Sequence, residues 1–200
     1  MPKNTGVTFV VLGIALLLCA LQLLILNSEE NRIARESADS ALKALQSEVV
    51  SIPPTTDAAA SDSVPTPLSP EMPVKVIDGY EYIGWLSIPA LELELPVMAA
   101  LDYERLDFAP CRQSGSSRLD NLVIAAHNYA SHFGSLPEIQ LGAEILFTDM
   151  DGIENRYILA SLETIPPDAS DMVLNSEYAL VLYTCTPGGA MRVAAFCDRA

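Results

Sequence analysis

A cysteine, an arginine and a histidine stand at the ends of apolar runs in the C-terminal half of this chain. Leu180-Val181-Leu182-Tyr183-Thr184-Cys185-Thr186 delivers Cys185 to a strand end, and Pro187-Gly188-Gly189 turns the chain back. Arg192 follows seven residues after the thiol. In a hairpin with that loop the two residues fall near opposing positions, where facing β-carbons lie ~5 Å apart. A thiol beside a fixed positive charge is the setting in which a thiolate is favoured. Upstream, Asn121-Leu122-Val123-Ile124-Ala125-Ala126-His127 is another apolar run, and it ends in a histidine. One candidate nucleophile, one acid/base and one anion stabiliser therefore sit at strand ends, the outline of an active site.

Short strands must position these groups. Tyr82–Ile88 alternates roughly and stops at Pro89; Leu91-Glu92-Leu93-Glu94-Leu95 alternates strictly and is followed by Pro96. Leu101–Phe108 predicts one or two helical turns, and Leu122–Ala126 a strand buried on both faces. His132–Leu136 reads as a short helical turn ended by Pro137. Glu144–Thr148 and Arg156–Leu162 flank Asp149-Met150-Asp151-Gly152, a hairpin signal. Asp168–Leu174 predicts a short helix with Asp168 or Ser170 near its N-cap. Ala179–Cys185 and Met191–Cys197 are the last strands. Many short strands with few helical segments point to an all-β domain, a closed or nearly closed barrel.

The N-terminal quarter is different. Val7–Leu26 is twenty residues without a charge. As a helix it spans ~30 Å, the thickness of a bilayer's hydrocarbon core. The exit Leu24-Ile25-Leu26-Asn27-Ser28-Glu29-Glu30 fits an uncleaved anchor better than a signal-peptide cleavage site. Lys3 before the span, and Glu29 and Glu30 after it, favour a cytoplasmic N-terminus, although Arg32 and Arg35 weaken the bias. Ile33, Ala34, Ala38, Ala41, Leu42, Leu45 and Val49 form a thin apolar stripe at helical spacing. That stripe could pair with another copy or pack on the domain, but so many alanines favour a mostly solvated helix. Residues 51–75 hold six prolines and read as an extended spacer lifting the domain from the membrane. The expected organisation is a cytoplasmic tail over 1–6, a transmembrane signal-anchor over 7–26, a helical stalk over 27–50, a proline-rich linker over 51–75 and a catalytic domain over 76–200.

A net charge of −15 argues against nucleic-acid binding and against docking on anionic lipid. No lysine follows Lys75. Of the four cysteines, Cys19 falls in the membrane span, so at least one of Cys111, Cys185 and Cys197 stays unpaired. A Cys111–Cys197 bridge would leave Cys185 free. Asp149, Asp151 and Glu154 offer a sparse oxygen set for calcium, although Asp-x-Asp-Gly in a hairpin is more often a turn. His132 follows a polar stretch and reads as a surface residue, or one supporting His127.

From about Tyr82 onward the chain resembles the sortases, membrane-anchored cysteine transpeptidases of Gram-positive surfaces. Ile83-Gly84-Trp85-Leu86-Ser87-Ile88-Pro89 resembles the family's opening strand, Ala126-His127-Asn128 its histidine motif, and Thr184-Cys185-Thr186 with Arg192 its signature. The resemblance implies a closed β-barrel of about eight strands with short helices. It implies that Cys185 attacks the carbonyl of a Leu-Pro-x-Thr-Gly-type sorting signal between Thr and Gly. His127 would serve as acid and base, and Arg192, with a backbone amide near Thr184 or Cys185, would hold substrate and oxyanion. The implied partners are surface proteins or pilins bearing the signal and an amine of peptidoglycan or pilin. No cofactor is implied, beyond the calcium that some members bind. Subclass is open. His127-Asn128-Tyr129 and the Arg192 spacing look like class B, and a class D-like assignment also fits. The 58 positions from His127 to Cys185 are too few for the class B helical insertion. The second membrane span of class C, its Asp-Pro-aromatic lid motif and the glycine often preceding the histidine are not found.

Two other readings compete. Papain-type peptidases and cell-wall amidases place cysteine before histidine, on a helix, and this chain reverses that order. A membrane-tethered binding module with structural cysteines would need none of the three groups to be reactive.

Overall fold

Short apolar runs broken by proline and glycine can satisfy their backbone groups only by pairing with one another. In the computed structural model, which describes residues 5–50 and 69–200, they do so in a single nine-stranded sheet. The strands are β1 (Lys75–Ile77), β2 (Tyr80–Ile88), β3 (Leu93–Met98), β4 (Cys111–Ser114), β5 (Leu122–Ala125), β6 (Glu144–Asp149), β7 (Glu154–Ile165), β8 (Leu180–Cys185) and β9 (Arg192–Arg199). Their order is β1-β2-β3-β4-β5-β8-β9-β7-β6, and β6 pairs back onto β2. The sheet therefore closes as an eight-stranded barrel with β1 added outside it. Ile83, Phe133, Leu136, Ile145, Phe147, Leu180 and Leu182 are among the side chains that fill it.

Closure depends on Gly84. Its φ is +149° and it lies opposite Asp149 at the β2–β6 seam. A β-carbon there would come 2.0 Å from the Thr148 carbonyl oxygen, so one strand would have to move. Gly84→Ala is expected to cost about 2 kcal/mol or more in urea unfolding; an unchanged midpoint would contradict this account of the seam.

The hairpin expected around Asp149–Gly152 is present, as β6 and β7. The alternating run after Pro89 is not one strand. Pro89–Leu91 forms a 3-10 turn and Glu92 adopts φ 53°, so β3 begins only at Leu93 and Pro96 lies inside it. The proline is tolerated because β3 meets β4 only at Met98, leaving no partner there for the missing N–H. Likewise Pro137 lies within a 3-10 turn, Leu136–Glu138, and does not end the preceding one. Two short helices flank the site to come: α2 (Tyr103–Leu106), capped by the Asp102 carboxylate, and α3 (Ser170–Leu174). Ala169, not Asp168 or Ser170, occupies the N-cap of α3, without a side-chain bond.

Helix α1 runs from Thr5 to Val50. Its first half is long and apolar enough to cross a membrane and exposes its apolar side chains from Phe9 to Leu26. Its second half corrects the expectation of a solvated stalk. Ala34, Ala38, Ala41, Leu42 and Leu45 are buried, with Ala41 and Leu45 against Tyr82, Met98 and Cys111. Alanines read as weakly apolar, yet their small volume lets a helix lie close on a sheet, here along the otherwise thinly paired β3. Burying a leucine contributes ~1.5–3 kcal/mol. Ala34 is eight residues beyond Leu26, ~12 Å along the axis. The barrel thus docks on the second half of this helix. Residues 51–68 of the linker and 1–4 of the tail lie outside the described residues.

Candidate active site

Parallel pairing of β5 with β8 and antiparallel pairing of β8 with β9 bring the three groups level. Ala125 lies opposite Tyr183, and the Ala126 N–H continues the ladder to the Tyr183 carbonyl at 3.2 Å. The chain thus reaches His127 as its neighbour reaches Cys185, and Cys185 lies directly opposite Arg192. Alternation then separates two faces. Leu180 and Leu182 enter the barrel, whereas Val181 packs outside with Val123, Ala194 and Phe196. Cys185 and Arg192 share that outer face. Here α3 and its flanks cover the sheet, which explains why β5 is buried on both sides.

His127, Cys185 and Arg192 line a single cleft of about 250 Å³. Ala125 and Tyr183 also line it, with Leu101, Tyr103 and Leu106 from the α2 segment, Ile165 at the end of β7, and Pro166, Pro167, Ala169, Ser170 and Val173 from the connection into β8. Thr184 also lines the cleft, but it is buried and its hydroxyl donates to the Ala126 carbonyl at 2.9 Å, tying β8 to the strand that carries His127. Tyr183 donates to Gln113 Oε1, and burial pushes its hydroxyl up to about 12. The Arg192 guanidinium donates to the carbonyls of Gly189 and Met191 at 3.1 Å each, which fixes it on the turn. Among the described residues it makes no ion pair.

Sequence spacing does not reveal Asp107. Its Oδ1 lies 3.1 Å from His127 Nε2 and also accepts the Tyr129 hydroxyl at 3.2 Å. The Tyr129 ring lies 4.8 Å from the imidazole, centroid to centroid. A carboxylate on Nε2 selects the tautomer with the proton there and leaves Nδ1 as the lone-pair nitrogen.

The other cysteines differ. Cys111 and Cys197 are free thiols, fully buried on β4 and β9, with β5 and β8 between them. The candidate bridge is therefore absent, since two intervening strands separate the sulfurs by far more than the bond allows. Burial pushes these thiols up to about 11 and about 12, respectively, so both stay protonated. Cys185 is half-buried and open to the cleft.

His132 is no surface residue. It is fully buried beside Tyr129, and neither ring nitrogen has a hydrogen-bond partner among the described residues. Burial, reinforced by nearby His127, pushes it from 6.5 down to about 4. A base held neutral when folded stabilises the protein above its unfolded pKa, and that contribution is lost as pH falls below it. Acidification from 6.5 to 4 should therefore cost roughly 3 kcal/mol. His132→Leu should flatten that part of the melting-temperature profile; an unaltered profile would contradict it.

The acidic hairpin is held by arginine. Asp149 Oδ1 accepts the amides of Asp151 and Ile153 at 3.0 Å, and its Oδ2 accepts Arg118 at 2.9 Å. Arg118 also reaches Asp151, while Glu154 pairs with Arg156. Among the described residues no group of three His, Cys, Asp or Glu side chains is placed to hold a metal ion.

The family model for the sortase domain matches residues 86–200, which include the whole cleft-bearing half of the barrel. The chain belongs to the sortase family. No curated protein sequence matches this sortase. Solved structures do. Sortase C of Clostridium perfringens SM101 is 19% identical with a TM-score of 0.51, covering 60% of this chain and 70% of its own. Streptococcus pneumoniae sortase C, described for its catalysis and pilin substrate specificity, is 22% identical with a TM-score of 0.52, covering 60% and 68%. Streptococcus suis sortase C1 is 22% identical with a TM-score of 0.53, covering 60% and 73%. At these identities the likeness is one of fold, and it leaves the sortase subclass open.

Proposed function

We propose that this sortase is a membrane-anchored cysteine transpeptidase that cuts a Leu-Pro-x-Thr-Gly-type signal between Thr and Gly. The supporting observation is the one cleft shared by His127, Cys185 and Arg192. The Cys185 thiol gives its proton to His127 as its sulfur attacks the threonine carbonyl carbon, and the carbonyl electron pair moves to oxygen. Arg192, held on its turn, faces that developing negative charge. Collapse of the intermediate breaks the C–N bond as His127 donates a proton to the leaving glycine amine, which leaves a thioester on Cys185. An incoming amine then attacks, His127 takes its proton, and the thiol is released. Every proton and electron pair in these steps belongs to the substrates or to side chains, so we assign no cofactor.

The donor is a surface protein or pilin carrying the signal, and the acceptor an amine of peptidoglycan or pilin. With the anchor's N-terminus cytoplasmic, the barrel works outside the cell. The domain holds no lysine beyond Lys75, so it offers no side-chain amine to its own thioester. The full chain in detergent, given a library of sorting-signal peptides and a short amine acceptor, should yield a product joined at the threonine carbonyl. Failure of every peptide with a folded barrel would overturn the assignment.

Asp107 holds the imidazole in the tautomer these steps use. Asp107→Ala is expected to lower kcat roughly tenfold with KM little changed, while Asp107→Asn, which can still accept from Nε2, retains most activity. Equal kcat in wild type and Asp107→Ala would contradict the role.

A further inference from the structure

The loop carrying His127 is bonded to the anchor helix. The Ala130 N–H donates to Asn31 Oδ1 at 2.9 Å, and the Ser131 hydroxyl donates to the Asn31 carbonyl at 3.4 Å. Those residues are separated by about a hundred positions in sequence, so the contact is tertiary. The loop is also closed on itself. The Phe133 N–H donates to the His127 carbonyl at 3.1 Å, and the amides of His132 and Gly134 both donate to the Tyr129 carbonyl at 2.9 Å. A β-carbon at Gly134 would lie 2.6 Å from that carbonyl oxygen, so the turn is as tight as the backbone allows. Phe133 is fully buried in the barrel. A displacement at Ala130 is therefore passed to the His127 backbone instead of being absorbed between them.

The geometry points to Asn31 as a positioning residue for the His127 loop, making the juxtamembrane part of α1 a wall of the catalytic apparatus. Ala34 and Ala38, one and two turns further along, are buried, Ala38 within the barrel's core cluster, and keep this stretch of helix in place. Ala130 itself is exposed, so without Asn31 its amide would bond to water at little cost in stability. The bond sets where the loop stands more than whether the barrel folds. Asn31 is five residues beyond Leu26, ~7–8 Å along the axis. The loop therefore sits close to where the helix would leave a bilayer. This inference rests on His127 being the acid/base of the proposed reaction.

The test uses the full chain in nanodiscs, with Asn31→Leu and Asn31→Asp; leucine is a good helix former, and aspartate keeps an oxygen for the Ala130 amide. Asn31→Leu is expected to speed amide exchange at Ala130 about tenfold and to shift the His127 imidazole resonances. It should lower kcat roughly five- to tenfold with KM and melting temperature unchanged. Asn31→Asp should restore all of these. Unchanged exchange and imidazole signals in Asn31→Leu would overturn the proposal, as would a kcat loss that aspartate fails to rescue. If wild type turns over no peptide, the transpeptidase reading fails, while exchange at Ala130 and the imidazole signals still decide whether Asn31 places the loop.

Discussion

Cys185→Ala is expected to lower turnover of a sorting-signal peptide by a factor on the order of 10⁴ or more, with peptide binding little affected. The size follows from the loss of the covalent route, since no neighbouring group can replace the sulfur. Cys111 and Cys197 are sealed in the barrel wall, on strands β4 and β9, and burial keeps their thiols protonated. Cys185 is the remaining thiol of the barrel and the only cleft-lining cysteine among the described residues. Steady-state kinetics and calorimetry of peptide binding separate the two effects. Residual turnover within tenfold of wild type would mean that the bond is cut without this thiol.

Arg192→Ala is expected to cost about 10²–10³ in kcat, the usual consequence of removing an oxyanion donor. Arg192 stands opposite Cys185 on the neighbouring strand, and two turn carbonyls hold its guanidinium. Preorganisation of this kind acts on charge that appears only in the transition state. Lysine keeps the charge but not the planar fork that the proposed role requires, one able to meet the turn and an oxyanion together. Arg192→Lys should therefore fall between wild type and alanine. A rise in KM alone, with kcat preserved, would reassign Arg192 to substrate binding.

These two residues were the easiest part of the site to read, because one hairpin carries both and its loop length fixes their register. His127 was legible as a strand end. Its placement beside Cys185 depends on parallel pairing of β5 with β8, which no local spacing encodes and which the family resemblance supplied. Asp107 was not legible: it lies in an irregular segment after α2 and meets the imidazole only when the barrel closes. The α1 docking surface is hidden in the sequence for a chemical reason. Alanine scores as weakly apolar, and the close approach it permits is a property of the partner surface as much as of the helix. Counting thiols carries no distance, so the sequence leaves a Cys111–Cys197 bridge open and the strand order excludes it. His132 is surrounded in sequence by polar residues, but these sit on a turn that folds back over it, so local polarity does not track burial.

Intact-mass analysis of the full chain, quenched during turnover of a sorting-signal peptide, tests the central claim most directly. The account predicts an added mass equal to the peptide's acyl portion through threonine, located on Cys185, removed by hydroxylamine and absent in Cys185→Ala. Turnover proceeding with no adduct on Cys185, in wild type or with the acceptor withheld, would contradict it.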